Sequence, residues 1–219
     1  MAEIYDPNEQ DEVVKKWLRD NGSAIVMGLV IAFGGLFGFK QWQVWQVSNK
    51  QQASAEFEVM SDLLTDGQLD AAMANYQTLQ DEFGKSPYAS LAALQMARAR
   101  VEAKQPELAI SLYEFVIENG YPSALSVVAR ERLARLMLDQ GETEEALALL
   151  DGATDLTGFE SRYAEVRGDI YYSLGRNDEA IAAYLEALET LEAGVGDRNT
   201  LVLKLESMGA EVPEDGNQS

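Results

Sequence analysis

Between Asp20 and Lys40 lie nineteen consecutive residues without a charge, Asn21 to Phe39. At about 1.5 Å of rise per residue a helix of that length reaches roughly 28 Å, close to the thickness of a bilayer's hydrocarbon core. A buried helix of a soluble domain seldom keeps every face apolar for so long, and here only Asn21 and Ser23, both at the entry, are clearly polar. A cleaved signal peptide would have a short basic start, a shorter apolar run and a small-residue cleavage site just after it. This stretch follows an acidic preamble, and Ala53-Ser54-Ala55 lies too far downstream to be such a site. The expectation is one retained membrane-spanning helix.

The flanks suit that reading. Trp17 on one side and Phe39, Trp42 and Trp45 on the other stand where amphipathic rings sit at headgroup level. Lys15, Lys16 and Arg19 precede the span, while Lys40 and Lys50 follow it, a small excess that leans towards a cytoplasmic N-terminus. Within the span Ala24, Gly28, Ala32 and Gly35 form a stripe of small residues, and Gly34 and Gly38 form a second pair. Such a stripe lets another helix approach closely, either a second copy or a different membrane protein. The alternative is that glycine is simply common in spanning helices.

The whole chain has 17 Lys and Arg against 37 Asp and Glu, a net charge of −20. That field repels nucleic acid and anionic headgroups, so no nucleic-acid partner is expected. There is no cysteine and no histidine, which removes disulfides, thiolate nucleophiles, imidazole bases and the usual zinc sites. Gly34-Gly35 with Gly38 and Lys40 superficially resembles a phosphate loop, but it lacks the Ser or Thr after the lysine and lies inside the span. The carboxylates, such as Glu142, Glu144 and Glu145 or Asp62 and Asp66, read as solvated charges on helix faces and turns. No catalytic, cofactor-binding or metal residue is assigned, and a noncatalytic protein is expected.

Ahead of the span, Met1 to Gln10 reads as loosely attached, with Pro7 and Asn8 as breakers; an amphipathic helix then starts near Asp11, and Asn21-Gly22-Ser23 is a place where it would loosen. Beyond the span no Gly or Pro occurs between Gly38 and Gly67, so helix can continue towards Phe57, Met60, Leu63 and Leu64. From there the sequence repeats itself. Ala72, Ala109, Ala146 and Ala180 are spaced by 37, 37 and 34 residues. Four residues after each stands Tyr76, Tyr113, Leu150 or Tyr184, and five residues before each stands Gly67, Lys104, Gly141 or Gly175. These are the intervals of a tetratricopeptide helix pair, in which small residues let two helices approach and a large one fills the gap. Gly168, Tyr171, Gly175, Ala180, Tyr184 and Ala187 make the last unit the fullest match, and Asn119 to Pro122 supplies an inserted turn.

The expected fold is all-α: a cytoplasmic N-terminal segment (1–20), a transmembrane helix (21–39), a helical stalk (40–52), and a tetratricopeptide-like α-solenoid (53–208) ending in an acidic disordered tail (209–219). The solenoid holds about four helix pairs plus a capping helix over Asp197 to Met208, where Leu201, Val202, Leu203 and Leu205 would cover the apolar end of the stack.

In stacked helix pairs the first helix of each unit lines the concave side. Counting from the motif places Phe57 and Leu64 there in the first unit, then Leu91, Leu94, Arg98 and Val101 in the second. The third gives Val128, Glu131, Arg135 and Leu138, and the fourth Arg162, Glu165, Asp169 and Tyr172. The apolar members suit an amphipathic helix or extended polypeptide in a groove, and Arg98 and Arg135, at one repeat position, suit a partner's carboxylates. The competing reading is that the apolar residues pack between repeats or against the stalk.

The order of parts resembles the YfgM-type ancillary subunits of the bacterial SecYEG translocon. The similar residues are Glu9, Gln10, Lys16, Trp17, Asn21 and Gly22 before the span, Gly28 and Gly38 within it, and Lys40 and Trp42 after it. The repeats and total length extend the likeness over essentially the whole chain. The resemblance implies a single-pass inner-membrane protein with its N-terminus in the cytoplasm and its repeat domain in the periplasm. It also implies association with the translocon and with a membrane-anchored periplasmic chaperone (PpiD-like), and a role in handing on newly translocated proteins. Two function classes stay open beside this scaffold: a holdase binding unfolded exported proteins directly in its groove, and a regulator whose acidic N-terminal segment binds a cytoplasmic protein.

Overall fold

A computed structural model describes residues 7–192 and 196–212, with side chains from residue 14 onward. Among the described residues the chain is all-helical, with nine helices and no strand. They are α1 (Pro7–Thr65), α2 (Leu69–Phe83), α3 (Pro87–Glu102), α4 (Pro106–Asn119), α5 (Ala124–Asp139), α6 (Thr143–Asp151), α7 (Glu160–Ser173), α8 (Asn177–Glu189) and α9 (Arg198–Ser207). The chain divides into two units, Met1–Gln52 and Ala53–Ser219.

In the first unit, Pro7 opens α1 instead of breaking it, as its missing N–H is no loss in a first turn. The Asn21-Gly22-Ser23 triplet does not loosen the helix either. One interior glycine costs only about 1 kcal/mol against alanine, and the Asn21 side-chain amide donates to the Trp17 carbonyl at 2.9 Å. Among the described residues one helix is long and apolar enough to cross a membrane: an 18-residue window of α1 has a mean hydropathy of 2.0 and is 0% buried. Val26, Val30, Ile31, Leu36 and Phe37 are each more than half exposed. Such an apolar surface over the length of a span suits lipid or a partner helix.

The second unit is a stack of helix pairs: the C-terminal turns of α1 with α2, joined by Met60 in the core of Ala72 and Tyr76 and by Asn75 donating to Glu56 at 2.8 Å, then α3 with α4, α5 with α6, and α7 with α8, followed by α9. The alignment positions of the sequence fall where the pairs close. Ala72, Ala109, Ala146 and Ala180 are all fully buried, and Tyr76, Tyr113, Leu150 and Tyr184 are no more than 4% exposed. Each buried tyrosine ring removes roughly 150–250 Å² from water, with its hydroxyl left to find a polar partner. Gly168 shows why one position needs glycine: an added Cβ would stand 2.5 Å from Tyr184 Cε1.

The corners between paired helices share one geometry. Gly67 (φ 74°), Gly141 (φ 83°) and Gly175 (φ 72°) adopt the left-handed conformation, and Lys104 (φ 57°) does so in the place where glycine is missing. In each corner this residue donates to the carbonyl three residues back and the next residue to the carbonyl five back, as in Gly141 to Leu138 at 3.0 Å and Glu142 to Met137 at 2.9 Å. That pair of bonds is a Schellman cap, which satisfies carbonyls that the helix end leaves open. Gly209 repeats it after α9, with Ala210 donating to Leu205 at 3.1 Å. Elsewhere Pro87 starts α3 behind a Ser86 cap that accepts from the Ala89 N–H at 3.2 Å, and the inserted turn at Gly120–Ser123 separates α4 from α5.

Helix α9 covers the end of the stack through Leu201 and Leu205, which are buried against Ala164, Ala180, Tyr184 and Ala187. Leu203 points outward and is 65% exposed, since a helix can turn only one side to its neighbour. Ala210 and Val212 pack on the same cluster, while residues 213–219 of the expected tail lie outside the described residues.

Candidate functional site

The expected groove residues divide by burial. Phe57 and Leu64 are half-buried against the first core cluster, where the Phe57 ring meets Tyr88 at 5.8 Å between centroids. Leu91, Val128 and Leu138 are also half-buried. Leu94 is only 5% exposed and belongs to that core, whereas Val101 and Tyr172 are exposed, Tyr172 by 57%. The surface reachable on the first helices therefore consists of separate apolar side chains between charged ones.

The two arginines of the shared repeat position have different surroundings. Arg98 is exposed and pairs along its own helix with Glu102, Nε to Oε1 at 2.8 Å. So exposed a pair is screened by water and can open to meet another carboxylate. Arg135 is enclosed by three carboxylates: Glu131 at 2.5 Å, Glu165 at 3.5 Å and Asp169 at 3.6 Å. Arg162 adds a contact to the other oxygen of Glu131 at 3.2 Å, and Lys204 of α9 reaches Glu165 at 2.8 Å and Asp169 at 2.6 Å. Tyr184 donates its hydroxyl to the same Asp169 oxygen at 2.8 Å. Three cations and three carboxylates from α5, α7 and α9 thus form a closed network, with Glu131 at its buried end, its side chain 3% exposed.

The electrostatics follow from that closure. Burial pushes the Glu165 carboxyl up, but Lys204 and Arg135 together outweigh it and hold the group below its usual range. The Tyr184 phenol is driven up by burial and by the neighbouring Asp169 and Glu165 carboxylates, so it stays a donor. Tyr163, buried in the second cluster, is pushed up to about 12 by burial and donates to the Val127 carbonyl at 2.8 Å, tying α7 to α5. Among the described residues no group of three acidic side chains is arranged to hold a metal ion.

Sequence reasoning found Glu131, Arg135, Arg162, Glu165 and Asp169 as one face but not as mutual partners. The spacing Glu131 to Arg135, four residues on one helix, was the available signal for the first contact. Lys204 carried none, because its reach to α7 depends on how α9 packs. In α1 a Cβ on Gly28, Gly34, Gly35 or Gly38 would meet nothing within 4 Å, so with Ala24 and Ala32 these residues leave a shallow strip uncovered by this chain.

Against known families, residues 15–210 match the model of a tetratricopeptide repeat-like domain. The chain belongs to that family. The tetratricopeptide repeat-like match reaches from the apolar helix through the cap, so the apolar helix and the repeats fall within one family model. Similar curated proteins include the ancillary SecYEG translocon subunit of Aggregatibacter actinomycetemcomitans, 29% identical over 95% of this chain and 100% of that protein. The protein of the same name from Escherichia coli strain K12 is 28% identical over 88% of this chain and 89% of its own length. That of Neisseria gonorrhoeae is 26% identical over 94% and 99%. These relatives carry the name that the N-terminal residues and the repeats together resemble.

Proposed function

We propose that this chain is a noncatalytic, single-pass inner-membrane scaffold at the Sec translocon, with residues 1–20 cytoplasmic and the repeat domain periplasmic. The observation that carries the reading is end-to-end likeness: translocon subunits of similar length align with this chain through both the apolar helix and the repeats. The uncovered small-residue strip of α1 suits a helix of the channel, where close approach gives dispersion contacts that lipid tails do not replace. The repeat domain recruits a membrane-anchored periplasmic chaperone and assists transfer of newly translocated proteins. Tethering performs this work by raising local concentration, without a bond being made or broken.

The test is purification of the full-length chain in mild detergent, with identification of stoichiometric companions by mass spectrometry and a span of scrambled order at 21–39 as control. Translocon subunits or an anchored chaperone, lost in the control, are the expected result. A chain that emerges alone, or with a heterogeneous set of exported proteins, refutes the scaffold and favours a holdase. The first-helix face is probed with Arg98→Glu, Val101→Glu and Tyr172→Glu, all exposed positions, because a carboxylate at Leu94 would be buried without a partner.

A further inference from the structure

A second surface lies on the opposite side of α5. On that helix Leu133 and Met137 stand roughly 160° around from the face that carries Val128, Glu131, Arg135 and Leu138, at 3.6 residues per turn. There α4, α5 and α6 enclose a cleft of about 420 Å³, within the range of about 300–1,000 Å³ typical of ligand sites. Its apolar surface comes from Ile110, Ile117, Met137 and Leu149, all half-buried against the first core cluster. Glu114, Glu118 and Glu142 also line it, and all three are exposed.

The charges decide what fits. None of these three glutamates has a side-chain hydrogen bond or ion pair among the described residues, in contrast to the closed network on the other side of α5, where every carboxylate has its cation. Three uncompensated carboxylates beside an apolar surface, in a chain of net charge −20, repel anionic ligands and reward a cation that brings apolar side chains with it. We propose that this cleft docks a segment of another polypeptide in which apolar residues are flanked by lysine or arginine. The apolar side chains lie on Ile110, Ile117, Met137 and Leu149, and the basic ones reach the glutamates. The inference requires only that the repeat domain bind polypeptide, and it stands whether or not translocon subunits co-purify.

The test uses the full-length chain in dodecyl maltoside and a fluorescein-labelled peptide of about twelve residues, alternating Leu-Leu with Lys-Lys, with empty micelles as blank. Anisotropy should show saturable binding that weakens with salt, and no binding of the counterpart carrying Glu for Lys. Replacing Glu114→Gln, Glu118→Gln and Glu142→Gln together should raise Kd at least tenfold. Removing the same charge elsewhere, by Glu58→Gln, Asp62→Asn and Glu82→Gln, should leave it within twofold. All six positions are exposed, so both variants should keep the wild-type helical circular dichroism. The proposal is overturned if the wild-type chain ignores the lysine peptide, if both peptides bind alike, or if the two triple variants lose affinity equally. Self-association through the same three glutamates, with no affinity for the peptide, would assign the cleft to a second copy and overturn it too.

Discussion

Replacing Gly168 with alanine sets two known effects against each other. Helix propensity alone favours the change by about 1 kcal/mol. The new Cβ, however, would sit 2.5, 2.6 and 3.0 Å from Tyr184 Cε1, Cδ1 and Cζ, where ordinary carbon contacts lie at about 3.5–4.0 Å. The ring has little room to retreat: it is 3% exposed, packed in the third core cluster, and held at its hydroxyl by Asp169. Helices α7 and α8 must therefore separate by about 1 Å, and overpacking of this kind costs about 1–3 kcal/mol. The net expectation is a loss of about 0–2 kcal/mol, or a fall in Tm of up to roughly 8 °C for a domain of this size. Thermal unfolding of the full-length chain in detergent, followed by circular dichroism at 222 nm, reads it, with Gly35→Ala as a change that meets no atom. Combining Gly168→Ala with Tyr184→Leu should recover about 1 kcal/mol over the sum of the single effects. A stabilised Gly168→Ala chain, or strict additivity in the double variant, would refute the reasoning.

Two further outcomes follow from the corners and the ion network. Lys104→Gly should raise stability by about 0.5–1 kcal/mol in the same melt, because Lys104 alone among the described non-glycine residues holds a positive φ. The Glu165 carboxyl has a folded-state pKa below its unfolded one, so its contribution is fully present above the ordinary glutamate value of about 4.3 and is lost as pH falls through the folded value. Unfolding by denaturant at pH 5, 4 and 3 should therefore show a shallower acid decline for Glu165→Gln than for the wild-type chain, and an equal decline would remove Glu165 from the account.

Much of the fold was legible because its determinants are local or periodic. The uncharged run after Asp20, the alanine register at Ala72, Ala109, Ala146 and Ala180, and the corner residues at five-residue offsets each mark one element without knowledge of the others. Lys104 could be placed in a corner only because the other three units put glycine there. The proposed binding face was less legible for a physical reason. Leu94 and Arg98 are one turn apart on α3, yet one is 5% exposed and the other's side chain 75% exposed. That difference is set by how neighbouring repeats overlap, a quantity absent from the motif. The ion network was hidden for the same reason, since its members come from α5, α7 and α9, and only Glu131 with Arg135 betrays itself by spacing. The cleft lined by Glu114, Glu118 and Glu142 arises between α4 and α6, and no single helix announces it.

The corners at Gly67, Lys104, Gly141 and Gly175 share the same two backbone hydrogen bonds, and at the Lys104 corner Arg100 adds a side-chain bond to Gln105 at 2.7 Å. A joint whose shared part is backbone, asking for one residue able to take a left-handed turn, constrains the outward residues of its two helices little. It also makes the stretch between two such joints, the second helix of one pair with the first of the next, a splice unit, since each joint carries the same two backbone bonds. The solenoid is in that sense a string of units whose number can change while the joints stay as they are.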